Sequence, residues 1–169
     1  SMLRVSAHGF WVGTFHGLAH RLLKLHWREA GLAQNFQILD SDDQLRLIKR
    51  IVKELGLDDS RWPPKQVQGF INAQKDEGLR AAHIDAGGDF YLQTMLRAYT
   101  AYEEACARGS LVDFAELLLR AHELWLNNPT LLAHYQTRFR HILVDEFQDT
   151  NSVQYAWLRV LAGKQVPVM

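Results

Sequence analysis

From Leu18 to Tyr135 the apolar residues of this 169-residue chain recur at helical spacing almost throughout, a rhythm that confines the fold to a mostly helical one. Leu18, Leu22 and Leu25 share one face of a helix predicted over 18–30 and stopped by Gly31. Leu45, Ile48, Val52 and Leu55 do the same over 41–55, where Ser41 with Gln44 three residues later makes a capping-box pattern and Gly56 ends the run. Trp62-Pro63-Pro64 opens a third helix, which runs through Val67, Phe70 and Ile71 to about Lys75, because proline suits a first helical turn. Gly78 and Gly87-Gly88 mark loops, and a long helix is predicted over 90–107 with Gly109 breaking it. Asp113 begins the next helix, as its plausible N-cap, with Leu117, Leu118, Ala121 and Leu124 on the buried side. Asn127-Asn128-Pro129 is a turn, and a short helix carries Leu132 and Tyr135.

The margins break the rhythm. Phe10-Trp11-Val12-Gly13-Thr14-Phe15 is short, aromatic and β-branched, and reads as a strand ending in a loop at Gly17. His141-Ile142-Leu143-Val144 is too brief for a helix and reads as a buried parallel strand. A helix over 152–161 follows, then Val166-Pro167-Val168 as the start of another strand. Two or three parallel strands alone make a poor sheet. The pattern therefore predicts a helical subdomain inserted into an α/β domain, most of whose sheet lies outside these residues. Ser1-Met2 reads as a remnant of tag removal, and 165–169 as a strand cut short.

Composition narrows the function classes. Apolar residues make up 47% and charged residues 22%, a globular balance, and neither a signal peptide nor a membrane-length apolar run is present. The expectation is a soluble, cytoplasmic protein with no membrane partner. The single cysteine, Cys106, permits neither an internal disulfide nor a cysteine-based zinc site and reads as a small packed side chain. Nineteen basic residues balance 19 acidic ones, so nucleic-acid contact would have to come from local patches or aromatic stacking.

The chemistry lies at the end of the 141–144 strand. Asp145 and Glu146 stand at its carboxyl end, where open α/β sheets bind ligands. Consecutive strand residues point to opposite faces, so adjacent carboxylates can divide two tasks. One can hold Mg²⁺, which prefers oxygen ligands and keeps several waters; the other can orient or deprotonate an attacking water. An apolar strand ending in Asp-Glu is also a common solubility device. The continuation Val144-Asp145-Glu146-Phe147-Gln148-Asp149-Thr150 sharpens the reading, because it resembles motif II, the Walker B element, of the UvrD/Rep/PcrA helicases of superfamily 1A. The resemblance implies ATP and Mg²⁺ as cofactors, Asp145 as Mg²⁺ ligand, Glu146 as general base, and Gln148 as the link from the nucleotide to the DNA-sensing parts.

Two further stretches resemble the same family in matching order. Gly13-Thr14-Phe15-His16-Gly17 is similar to its motif for single-stranded DNA, where a hydroxyl, an aromatic face and an imidazole would grip a phosphate and stack a base. Packing is the plainer role for such residues. His16 with His20 at i, i+4 mimics a metal pair, but with no third ligand nearby zinc is rejected. Leu111-Val112-Asp113-Phe114-Ala115-Glu116 resembles the segment that returns from the insert. The resemblance covers about 11–163, is nearest to the UvrD branch, and implies residues 3–30 as part of RecA-like domain 1A, 31–110 as helical subdomain 1B, and 111–169 as the return to 1A. RecB-like relatives carry larger inserts.

Arg46, Lys49, Arg50 and Lys53 share a helix face, which reads as a solvated face balanced by Asp42, Asp43 and Glu54. Lys65 and Lys75 are the better candidates for duplex contact, since the resemblance sets them near the tip of 1B. No Gly-x-x-x-x-Gly-Lys-Ser/Thr occurs in the chain, so these residues alone are expected neither to hydrolyse ATP nor to unwind DNA. For the intact protein the resemblance implies a bacterial, nucleoid-associated 3′→5′ translocase. It would act on single strands and single/double-strand junctions in excision and mismatch repair, with repair proteins as partners. The rival class is a DNA- or protein-binding module, which would have no use for the Asp145-Glu146 pair.

Overall fold

The computed structural model describes the backbone of residues 7–138 and the side chains of 15–137, together with residues 153, 156, 157, 159 and 160. In chain order the elements are α1 (Ala7–Leu25), β1 (Gln37–Leu39), α2 (Ser41–Glu54), α3 (Pro64–Asp76), a 3₁₀ turn (Ala81–His83), α4 (Phe90–Gly109), β2 (Leu111–Asp113), α5 (Phe114–Asn127) and α6 (Pro129–Arg138). The fold is thus mostly helical with one two-stranded parallel sheet, in register Gln37↔Leu111, Ile38↔Val112 and Leu39↔Asp113. It divides into two compact units, one formed by Ser1–Gln34 with Glu116–Met169, the other by Asn35–Ala115. Among the described residues no helix is long and apolar enough to cross a membrane.

The Asn35–Ala115 unit is built by three helices around one core. On α2, Leu47, Ile48, Ile51 and Val52 are buried. They meet Val67 and Ile71 of α3 and Met95, Ala98, Tyr99 and Tyr102 of α4 in one cluster, closed at one end by Trp62. α2 is capped by Asp40, whose side chain accepts from the Asp43 amide, one residue before the predicted Ser41. Gln44, expected to complete that cap, is instead buried among α3 and α4. Pro63 and Pro64 open α3 as predicted, since proline at a first turn gives up no hydrogen bond. α2 runs out before Gly56, which takes a positive φ of 71°.

Two expectations are corrected. The stretch 10–15, predicted as a strand, lies inside α1, which runs unbroken from Ala7 to Leu25. A strand needs a paired neighbour to satisfy its backbone, whereas a helix does so internally. Phe15, Ala19, Leu22 and Leu23, all buried, are spaced for one helical face. Conversely, β1 and β2 were not predicted, and they pair within the Asn35–Ala115 unit. The predicted strands at 141–144 and 166–168 lie outside the described residues. Of the helix predicted over 152–161, residues 153, 156, 157, 159 and 160 are helical.

Candidate functional site

Asp145, Glu146 and Gln148 lie outside the described residues, so the structure bears on the remaining candidates. Thr14, Phe15 and His16 sit on α1. Phe15 is only 8% exposed. Its ring meets Trp157 edge-on at a centroid distance of 5.6 Å, and Trp157 in turn meets Trp125 at 4.7 Å. Trp157 is fixed by its indole N–H, which donates to the Leu118 carbonyl over 2.8 Å. The expectation that Phe15 presents a face for base stacking is corrected accordingly: the ring is buried in an edge-to-face aromatic contact, an arrangement aromatic rings prefer. His16 beside it is half-buried, and burial holds its pKa below the ordinary 6.5. His20 is depressed as well, by burial and then by Lys24. Among the described residues no three His, Cys, Asp or Glu side chains converge on a possible metal position.

The two lysines singled out for duplex contact part company. Lys65 is exposed on the first turn of α3. Lys75 is buried near the end of the same helix, and its ammonium donates to Asp113 Oδ2 over 2.9 Å, with both side chains 4% exposed. Lys75 is therefore not a surface contact, and that expectation is corrected. Its place follows from spacing, since Val67, Ile71 and Lys75 stand four residues apart on the buried stripe of α3.

The Lys75–Asp113 pair anchors a buried polar network that sequence reasoning did not find. Tyr102 of α4 donates its hydroxyl to Asp113 Oδ2 over 2.5 Å and accepts from Gln44 Nε2 over 3.0 Å. Gln44 Nε2 also donates to Asn72 Oδ1 over 2.8 Å, and Gln44 Oε1 accepts from Gln68 Nε2 over 2.9 Å. The Lys75 ammonium further lies 5.4 Å from the Tyr102 ring centroid, within cation–π range. Burial, then the Asp113 charge, pushes the Tyr102 phenol far above its usual range, so it stays a donor at any ordinary pH. The network binds α2, α3, α4 and β2 through directional bonds whose loss would leave a charge buried. The sequence did hold a signal. Gln44 falls on the same helical stripe as Leu47, Ile48, Ile51 and Val52, and a polar residue there has to find partners. Asp113 likewise closes β2 with its side chain committed inward.

On α2, Arg46 pairs with Asp43 and Arg50 lies 3.9 Å from Glu54, all four well exposed. Such pairs contribute little stability and leave the face solvated, as read from the charge pattern.

Residues 2–169 match the UvrD/REP helicase N-terminal domain, and the chain belongs to that family. It is 61% identical over 168 residues to DNA helicase II of Escherichia coli K12, covering 99% of this chain and 23% of that protein. It is 53% identical over 161 residues to DNA helicase II of Haemophilus influenzae, covering 95% of this chain and 22% of that protein. ATP-dependent DNA helicase PcrA of Bacillus subtilis is 34% identical over 165 residues, covering 97% and 22%. The chain thus spans less than a quarter of the length of these curated relatives.

Proposed function

We propose that this chain is the part of an ATP-driven DNA helicase that carries the carboxylates of its nucleotide site. The observation that supports it is the string Val144-Asp145-Glu146-Phe147-Gln148-Asp149-Thr150, within a chain that matches the family along nearly all its length. Adjacent Asp and Glu supply the oxygen donors that Mg²⁺ prefers. In this reading Asp145 holds the ion of a Mg²⁺–ATP complex, which would neutralise charge on the phosphates. Glu146 orients the attacking water and takes its proton, and Gln148 connects this edge to DNA. Thr14, His16 and exposed Lys65 contact DNA strands. Residues 3–30 and 111–169 belong to the ATPase domain, and 31–110 form the subdomain inserted in it.

The intact protein translocates 3′→5′ on single-stranded DNA, engages single/double-strand junctions, and works with partners in excision and mismatch repair. The reading also holds that these 169 residues alone turn over no ATP, because they contain no phosphate-cradling glycine loop with its lysine. The test is Glu146→Gln in the intact helicase. DNA-stimulated ATP hydrolysis should fall by about 10²-fold or more, the range for loss of a general base, while nucleotide binding persists. Hydrolysis within a few-fold of the parent would overturn the assignment. So would turnover by the 169-residue chain that Glu146→Gln abolishes, as regards the inactivity of the isolated chain.

A further inference from the structure

Two aromatic side chains stand together on the surface of the Asn35–Ala115 unit. Phe90 is 66% exposed and Tyr91 44%, at the first two positions of α4, where helix propensity gives no reason for an aromatic residue. Both rings are held in place. Trp62, itself buried, stacks on the Tyr91 ring at a centroid distance of 5.4 Å and an angle of 24°, and meets the Phe90 ring edge-on at 6.4 Å. Gln66 Nε2 donates to the Tyr91 hydroxyl over 3.1 Å. A lone exposed apolar side chain calls for no explanation, whereas a fixed adjacent pair points to a contact.

The charges around the rings decide what that contact takes. The loops before α3 and before α4 lie on the same edge of the unit, since Leu55 and Ala86 line one groove with Gln93 of α4. These loops carry Asp58, Asp59, Asp85 and Asp89, all exposed, against the exposed bases Arg61 and, on the first turn of α3, Lys65. Asp58 is kept ionised by the Ser60 amide and hydroxyl, and then by Arg61, which lower its pKa. Asp89 caps α4 by accepting from the Leu92 amide, and its full charge outweighs the half-charge of the helix terminus. An anion approaching the rings therefore meets a surplus of negative charge. A cation is drawn both by the carboxylates and by the electron-rich ring faces. Among protein cations the guanidinium of arginine fits best: it is planar, weakly hydrated, and stacks on a ring while its N–H fork reaches a carboxylate.

We propose that the Phe90–Tyr91 shelf is a docking site for an arginine side chain of a partner protein, which stacks on the exposed rings and pairs with the aspartates of the flanking loops. This surface is separate from the nucleotide and DNA contacts proposed above and does not depend on them. Trp62 and Gln66 already fix the rings, so little side-chain freedom is lost on binding. One anchor of this kind gives a weak contact that salt weakens further.

The test is titration of the full chain into a fluorescent heptapeptide, Gly-Arg-Gly-Arg-Gly-Arg-Gly, at low ionic strength, read by anisotropy. The same peptide with lysine or citrulline in place of arginine, and a short oligothymidylate, are titrated beside it. The arginine peptide should bind, the lysine peptide several-fold more weakly, and the citrulline peptide, which keeps the shape and loses the charge, not measurably. Phe90→Ala and Tyr91→Ala should each raise the dissociation constant about two- to fivefold. Asp59→Asn combined with Asp85→Asn should do the same and flatten the salt dependence. Tyr91→Phe keeps the ring and loses only the hydroxyl, so it should bind like the parent and separates ring stacking from any effect on folding. The proposal fails if the arginine peptide does not bind, or if the lysine or citrulline peptide binds equally well. It fails if Phe90→Ala and Tyr91→Ala bind the arginine peptide like the parent. It fails too if Phe90→Ala weakens oligothymidylate binding instead, which would make the shelf a nucleic-acid platform.

Discussion

Replacing Lys75 with methionine keeps the stem of the side chain and removes its ammonium. In the native unit that ammonium lies 2.9 Å from Asp113 Oδ2 with both side chains 4% exposed, so neither group can fall back on water. Breaking such a pair from one side costs about 3–5 kcal/mol, because the remaining charge stays buried. The Tyr102 hydroxyl donates to Asp113 in parent and variant alike, so it does not replace the lost ammonium. Lys75→Met should thus destabilise the Asn35–Ala115 unit by about 3 kcal/mol or more. Adding Asp113→Asn removes the stranded charge while leaving an acceptor for Tyr102, and should recover at least half of that loss. Lys65→Met, on the exposed first turn of the same helix, should stay within about 0.5 kcal/mol of the parent. Urea denaturation followed by far-UV circular dichroism gives the energies. Amide exchange at Tyr99 and Tyr102 assigns them to this unit rather than the other. The reasoning is refuted if Lys75→Met costs under about 1 kcal/mol, or if the double variant is less stable than Lys75→Met alone.

Two further predictions concern backbone and pH. Ser110 holds the left-handed conformation at φ 55° after α4, a geometry glycine adopts freely, so Ser110→Gly should stabilise by about 0.5–1 kcal/mol in urea denaturation. His122 is half-buried, and burial lowers its pKa below 6.5 although Glu123 opposes the shift. A histidine with a depressed folded value resists the proton that the unfolded chain accepts. Stability is therefore full above 6.5 and is lost as pH falls below it toward the folded value. His16 and His20 act in the same direction. Denaturation midpoints at about pH 7 and about pH 5 should differ for the parent, and His122→Gln should narrow the gap.

The helical unit was legible in the sequence to the extent that its signals are local. Proline at the start of α3, Gly56 after α2 and the apolar stripe of α2 each act within a turn or two of chain, and the structure keeps all three. What escaped depended on distant partners. Three-residue strands such as β1 and β2 are too short to show a period of two, and each forms only because the other lies beside it. Lys75 carries a charge that reads as solvent-facing, and its burial depends on Asp113 arriving from far along the chain. Phe15 has the chemistry of a stacking platform, but its ring is buried against Trp157. The stretch 10–15 has strand-like composition, yet in the structure it lies within a helix that runs from Ala7 to Leu25. The acidic string 144–150 is legible from residue types and their order alone, because its chemistry needs no distant partner to be recognised.

The parallel pairing of Gln37–Leu39 with Leu111–Asp113 also sets an order of events in folding. The ladder closes a loop of about 70 residues, and loop closure at that length costs about 4 kcal/mol of chain entropy beyond a constant. Three residue pairs of strand cannot offset that on their own. The helices between them, whose contacts span shorter separations, have to dock first and bring the two strand segments together. The ladder is then a late seal on the unit, and Asp113, at its last rung, is held by it beside Lys75 and Tyr102.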